Sequence, residues 1–403
     1  MGQIPSQVLE RLEPQNEQEA CAIVKQARLD RWSLSIEGGG TRAGLGRPIK
    51  TDAVLSTRRL TGITLYEPAE LVIAARAGTP LSEVEAALAA QGQMLPFEPA
   101  DYRALYGSSG EPTIGAIAAC NLSGPRRIQT GAARDALIGV RLINGEAQAI
   151  KSGGRVMKNV TGLDLVKLTC GAHGTLGLLT EVTFKLLPRP QAQATLILDG
   201  LDDERAIAAM GSALSSPFEV SGAAHLPMGH DGAAPMTLLR LERDAESLAY
   251  RTQKLIARLA PFGAVRRVEG EESAALWCDI AQVKPLAKAH GPAIWKLSLP
   301  AHKASRCMKA ISESLGARYF YDWGGGLVWL AVMPGEDAGA LRIRAAVAEA
   351  NGHATLIRAS DEIRKAQDVF APLGAALMKV TSGIKQSFDP DGIFNPGRMY
   401  AGV

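Results

Sequence analysis

The apolar run Ser35-Ile36 leads through Glu37 into three consecutive glycines, Gly38, Gly39 and Gly40, and then into Thr41 and Arg42. Glycine accepts positive φ and carries no Cβ, so such a turn can aim several main-chain N–H groups at one anion. Gly44, Gly46 and Pro48 follow, which leaves no room for a helix of useful length behind the turn. A dinucleotide-binding or Walker-type loop needs that helix, and neither of their sequence patterns is present. Any phosphate held here would be held by loop amides alone. Taken in isolation, the motif fits a glycine-rich turn without a ligand equally well.

At 403 residues the chain exceeds one ordinary core, so two domains, or one domain with a large insertion, are expected. The chain is long enough to enclose a large cofactor. A net charge of +3 and an aromatic content of 5%, with no basic and aromatic interleaving, leave nucleic-acid binding without its footprint. Cys21, Cys120, Cys170, Cys278 and Cys307 lie far apart with no C-x-x-C pair, so no iron–sulfur or zinc site is expected within the chain. Scattered, odd-numbered cysteines fit a reducing cytoplasm. The polar start Met1 to Gln7 lacks the apolar core of a signal peptide, and no run approaches a membrane span. Any membrane association is expected to come through a partner.

The periodicity predicts a helix over 17–28 with Ala20, Ile23, Val24 and Ala27 on one face, then strands over 32–36, 53–55, 62–65 and 70–78. A helix follows from Thr79-Pro80 to Gly92, with Ser82 and Glu85 at capping-box spacing. Thr113 to Gly124 is a second stretch of glycine and small residues. Strands are expected over 138–143 and 147–151 about Asn144-Gly145, and over 178–187. Gly171, Gly174 and Gly177 are too frequent for a stable helix. Beyond Pro188-Arg189-Pro190, helices at 203–214 and 245–259 alternate with strands at 236–241, 294–299 and 328–332, as in a smaller α+β layer. A helix over 374–388 leads into a tightly turned tail ending Asn395-Pro396-Gly397-Arg398-Met399-Tyr400.

These stations together resemble the vanillyl-alcohol-oxidase or PCMH-type FAD-binding family, and within it the E subunits of bacterial glycolate oxidases (glycolate dehydrogenases). The likeness runs through Glu37 to Arg42, Tyr66 to Leu81, Gly92 to Pro99, Leu122 to Arg127, Gly131 to Asp135, Val156 to Gly162, Gly174 to Glu181 and Phe388 to Tyr400. It implies an α+β, PCMH-type FAD-binding domain over 1–189, in subdomains of about 1–57 and 58–189. A cap-like α+β domain over 190–373 and a returning segment over 374–403 complete the expected architecture. The resemblance assigns Glu37, Gly38, Gly39, Gly40, Thr41 and Arg42 to the FAD pyrophosphate. It assigns Thr113, Ile114, Gly115, Ala118, Ser123 and Gly124 to the diphosphate and ribityl chain, and Arg134 and Asp135 to the neighbourhood of the flavin. Gly174, Gly177 and Leu179 would pass under the adenosine end, and Asn395 and Arg398 would return toward the isoalloxazine. Thr41 stands where many members carry a flavin-anchoring histidine, so the FAD is expected to be non-covalent. His173 replaces an acidic residue of related catalytic subunits, Leu163 an aromatic one, and Ala116 half of a double glycine.

The resemblance further implies oxidation of a small 2-hydroxy acid, beside a second, longer FAD-binding catalytic subunit and an iron–sulfur subunit. A non-catalytic interaction subunit and a stand-alone hydroxy-acid oxidoreductase are the other readings. Such chemistry calls for a cationic clamp on the carboxylate and a base near the hydroxyl. No residue of this sequence declares itself the base. His353, with Arg358 as clamp, is the best candidate in the second half, while His225 and His230 read as a Pro-Met-Gly-rich loop and His290 and His302 as surface. Arg126, Arg127 and Arg134 neighbour the second small-residue stretch and suit phosphate or carboxylate. Trp295, Trp323, Trp329, Tyr319, Phe320 and Tyr321 read as core, and Asp322 to Gly326 as a hairpin turn.

Overall fold

A computed structural model describes residues 10–154, 163–229, 234–287 and 291–403. The Val156 to Gly162 motif, the N-terminal start, His230 and His290 lie outside the described residues. Strands Glu10–Leu12, Ala53–Ser56 and Leu34–Glu37 form a small parallel sheet in that order. Its covering helix, Glu17–Asp30, begins at Asn16, whose side chain accepts from the Glu19 N–H, and it buries Ala20, Val24 and Ala27. The tail closes this layer: the Leu34 N–H donates to the Ile393 carbonyl at 2.7 Å and the Asn395 N–H to the Leu34 carbonyl at 2.9 Å.

Strands Ile63–Glu67, Val72–Arg76, Leu178–Lys185, Leu137–Ile143 and Ala149–Gly153 make an antiparallel five-stranded sheet in that spatial order. The helix after Val72–Arg76 is Leu81–Ala89, and its cap is Pro80, with no side-chain cap bond. The capping box expected at Ser82 is therefore absent, because Ser82 already lies inside the first turn. The small-residue stretch holds a further helix, Ile114–Cys120. Gly115 is required there by packing, since a Cβ would stand 2.5 Å from that of Ala77.

Eight antiparallel strands, all between residues 192 and 358, form the third large element, in the order Val265–Glu269, Ala192–Asp199, Met236–Arg243, Gly222–Leu226, Arg318–Asp322, Leu327–Val332, Ala293–Ser298, His353–Arg358. The period of two sorts the faces. Trp295 and Leu297 turn toward helices Asp203–Leu214, Ala245–Leu259, Ala301–Leu315 and Ala340–Glu349, and Asp202 and Asp244 cap the first two. Ile294, Trp329 and Phe320 turn the other way and join the core of the five-stranded sheet. The turn Asp322 to Leu327 closes a hairpin between paired strands, as its sequence suggested.

A buried ionic quartet lies where that second face meets the rest. Arg240 donates to both oxygens of Glu98, at 2.7 and 2.9 Å, while Arg126 bonds both Glu98, at 3.2 Å, and Glu242. Arg240 also reaches Glu242 at 3.2 Å and lies 4.7 Å over the ring of Trp277. Burial raises the Glu98 carboxyl, but the guanidiniums of Arg240 and Arg126 outweigh it and hold the group at about 2. A depressed carboxylate contributes stability above its unfolded value of 4.5 and loses it as pH falls through 4.5 toward 2. Glu98→Gln is therefore expected to cost about 3 kcal/mol near neutrality, the low end for breaking a buried ion pair, because Glu98 keeps 23% of its side-chain surface. Urea midpoints at neutral pH and across the acid range check both statements: the variant's deficit shrinks as the wild-type carboxylate is protonated.

Candidate functional site

The end of strand Leu34–Glu37 delivers the glycine turn to the floor of a cleft that Asn395 and Arg398 of the returning tail also line. Among the described residues, no main-chain N–H from Gly38 through Arg42 donates to a protein acceptor. Five donors left unpaired in this way are costly unless water or a ligand takes them. The loop is held from behind by its carbonyls: Thr57 N–H donates to Glu37 at 2.8 Å and Arg58 to Gly39 at 3.2 Å. Gly39 packs so closely on Glu111 that a Cβ would lie 1.6 Å from the Glu111 carbonyl oxygen, and Gly38 would press on Thr113. Gly39 is glycine because protein backbone crosses it. Gly40, at φ +75°, needs glycine for its conformation, while a Cβ there would meet only a terminal nitrogen of Arg58 at 4.0 Å among the described residues.

Two guanidiniums face the cleft without a carboxylate partner among the described residues. Arg42 is buried, donates to the Ala100 carbonyl at 2.8 Å and to Thr41 at 3.2 Å, and leaves its Nε unpartnered. Among the described residues, the Arg398 side chain donates to the carbonyls of Ala43, Leu45 and Arg47. Thr113 Oγ1 is likewise buried and unpartnered. Asn395 stitches the far wall, accepting from the Ile36 N–H at 2.9 Å and donating to the His173 carbonyl at 2.8 Å. His173 stands at φ +51° with its ring 4.9 Å from Phe370. Burial, helped by Arg398, pushes its imidazole down to about 4, so it is neutral near pH 7.

Of the residues expected at the site, Glu37 to Arg42, Gly115, Gly174, Gly177, Leu179, Asn395 and Arg398 share this cleft. Thr113, Ile114 and Ala118 lie just behind its wall: Ile114 donates to the Thr79 carbonyl, and the Ala118 carbonyl accepts from Gly171. Four others are not on the wall. Ser123 accepts from the Ala133 N–H, and the Gly124 carbonyl accepts from the Trp323 indole. Arg134 donates to the Lys167 carbonyl, and Asp135 accepts from the Ala132 N–H. Arg134 thus ties its short helix to the Lys167 segment, and Asp135 caps the start of that same helix.

The sequence reading missed Ala119 and Cys120, which share a helix face with Gly115 and Ala116 at intervals of three to five residues. Recognising that helix would have found them. Thr57 and Ala77 sit just past the ends of two strands, where only the sheet arrangement brings them to the cleft. The second-half candidates stand elsewhere. His225 lies in strand Gly222–Leu226, fully buried, with Nδ1 2.9 Å from Thr237 and Nε2 3.4 Å from Asp203, so it is not in a loop. His353 is exposed on the outermost strand, and Arg358 donates to the Leu105 carbonyl at 2.7 Å.

Free amides, two unneutralised guanidiniums and a wall of small residues suit a diphosphate carrying a flat apolar ring system. The comparisons agree. A family model described as an FAD binding domain matches residues 10–153. Over 381 residues the chain is 37% identical to glycolate oxidase subunit GlcE of Escherichia coli (strain K12), covering 94% of this chain and 95% of that one. This chain belongs to the GlcE family of FAD-binding proteins. It is 23% identical over 448 residues to glycolate oxidase subunit GlcD of Bacillus subtilis (strain 168), covering 96% and 88% of the two chains. The fold is matched by 4-ethylphenol oxidase from Gulosibacter chungangensis, with a TM-score of 0.72 at 13% identity over 97% of this chain and 89% of that one. The GlcE-family chain is thus a PCMH-type, FAD-linked oxidoreductase. Among its described residues no helix is long and apolar enough to cross a membrane, and no group of three acidic, His or Cys side chains is placed to hold a metal.

Two glycine variants separate packing from conformation. Gly39→Ala is expected to displace the turn from Glu111 and abolish flavin retention. Gly40→Ala is expected to cost about 1–2 kcal/mol of backbone strain and to retain flavin at reduced occupancy. The ratio of visible flavin absorbance to protein absorbance after purification measures both.

Proposed function

We propose that this chain is the FAD-binding subunit of a heteromeric glycolate oxidase or dehydrogenase, converting a small 2-hydroxy acid to the 2-oxo acid. Electrons would leave through an iron–sulfur subunit, and a second, longer FAD-binding subunit would complete the assembly. The observation that carries this reading is the cleft of unpaired amides and guanidiniums in a chain aligned almost end to end with a glycolate oxidase subunit. FAD, when bound, accepts the two electrons of the oxidation.

The amides of Gly38 to Arg42, with Arg42 itself, would hold the diphosphate, and Thr113 Oγ1 lies buried beside Gly38 with a hydrogen bond to give. Ala116, Ala119 and Leu179 provide small and apolar wall that keeps water away from the ring system. Arg398, anchored by three carbonyls, keeps its charge directed into the cleft. His173 is the histidine on that wall, and as a neutral imidazole it can accept a proton, though its depressed basicity makes it a weak base near pH 7. That weakness favours a second reading, in which the chain holds FAD and passes electrons while the longer subunit performs the oxidation.

Anaerobic addition of glycolate to the purified chain, alone and then co-purified with its partner subunits, separates the two. Bleaching of the visible flavin bands in the isolated chain supports turnover here. Bleaching only in the assembly supports the electron-passing role. A colourless chain in both preparations refutes both readings. If His173 takes the substrate proton, His173→Asn lowers the rate of bleaching at least a hundredfold with flavin content unchanged; stopped-flow absorbance measures it.

A further inference from the structure

Of the three arginines that flank the second small-residue stretch, Arg126 is neutralised by Glu98 and Glu242, and Arg134 is bound to the Lys167 carbonyl. Arg127 is different. Its guanidinium lies 4.4 Å over the ring of Trp323, and its side chain makes no hydrogen bond or ion pair to any described residue. Lys296 approaches the same ring from the eight-stranded sheet, with Nζ 5.1 Å from the Trp323 centroid and 5.8 Å from that of Trp329. It too has no carboxylate within ion-pair distance among the described residues. Two cations from two different parts of the fold therefore share one indole, each half-buried and neither paired with a described residue.

Unpaired like charges brought together at partial burial repel each other and lose hydration, so the arrangement is costly without an anion. Burial, then Arg127, lowers the Lys296 ammonium to about 8. Two carboxyls act on the pair from a distance: Asp135, on Arg127, already accepts from the Ala132 N–H, and Asp322, on Lys296, is buried, accepts from the Trp323 N–H at 2.7 Å and is pushed up to about 7 by burial. His353, on the strand beside Lys296, is depressed by burial and then by Lys296 and Arg127, which places it within reach of the same field. The Trp323 indole N–H donates to the Gly124 carbonyl at 3.1 Å and fixes the ring between the domains. From Lys296 the aromatic wall continues through Trp329 and Tyr102, 5.8 Å apart, to Arg42, 5.9 Å over Tyr102, so this spot communicates with the glycine turn through packed rings.

We propose that Arg127 and Lys296, set against Trp323, form a binding site for the carboxylate of a small hydroxy or oxo acid at the seam between the FAD domain and the eight-stranded sheet. Guanidinium and ammonium supply charge-assisted donors, and the indole face supplies the apolar side that a short carbon chain can lie against. The identity of the acid rests on the 2-hydroxy-acid reading above; the anion site itself does not.

The test uses the full chain as purified, with glycolate and oxalate as probes and inorganic phosphate as the competing anion. Isothermal titration calorimetry and tryptophan emission are followed in wild type, Arg127→Gln, Lys296→Met and Trp323→Phe, with circular dichroism and flavin content confirming the fold. Expected is saturable binding of glycolate and oxalate, weakened about tenfold or more in Arg127→Gln and Lys296→Met. Trp323→Phe should remove the emission change, and Arg127→Lys should restore part of the affinity lost in Arg127→Gln. Unchanged affinity in both charge variants overturns the site, and equal binding of phosphate overturns its assignment to carboxylates. Binding that depends on both cations without flavin bleaching in any assembly keeps the site and sinks the oxidation reading. Bleaching whose half-saturating glycolate concentration is the same in wild type and both charge variants keeps the oxidation and sinks the site.

Discussion

The Glu98–Arg126–Arg240–Glu242 quartet fixes how the two halves of this protein meet. Two of its members come from the half that carries the glycine turn and two from the strand Met236–Arg243, and each carboxylate touches both guanidiniums. Burying four charges is tolerable only when all four are present, so the network discriminates strongly against any displaced docking of the sheet. The same seam is crossed by bonds to main-chain carbonyls, including Tyr106 to Ile357 at 2.7 Å and Arg364 to Gly44 and Gly46. Apolar burial on both sides supplies most of the adhesion, and the charges choose the register.

The cofactor cleft depends on that register at one remove. Its floor is the turn whose amides point outward because its carbonyls are tied inward, by Thr57 and Arg58. Its far wall is the returning tail, held by Asn395, and the same tail brings Arg398 across to the carbonyls that follow the turn. Arg364, just beyond the eight-stranded sheet, clamps the intervening carbonyls of Gly44 and Gly46. A shift of the sheet would therefore be felt in the loop that receives the diphosphate.

Much of the local structure was legible because its signals are local. The helices Asp203–Leu214 and Ala245–Leu259 stand at the bounds the sequence predicts, and an Asp cap starts each. The glycine turn announced an anion cradle through three consecutive glycines beside a guanidinium. Less legible was the stretch from Thr113 to Gly124, whose small residues look like ligand-facing backbone. They serve first as a helix pressed on Ala77, and only one face of that helix reaches the cleft. Arg126, Arg127 and Arg134 are alike by sequence neighbourhood and have three different fates: an ion network, an indole face and a carbonyl.

The sequence by itself determined many of the helices and strands, the flavin-type turn and the absence of an obvious base, because helix caps, glycine conformations and side-chain chemistry act over a few residues. Tertiary structure decided which amides remained unpaired, that Gly39 is kept small by Glu111, and that Lys296 shares an indole with Arg127 from far along the chain. Those outcomes depend on desolvation and close approach between segments hundreds of residues apart, and neither quantity exists until the chain has closed on itself.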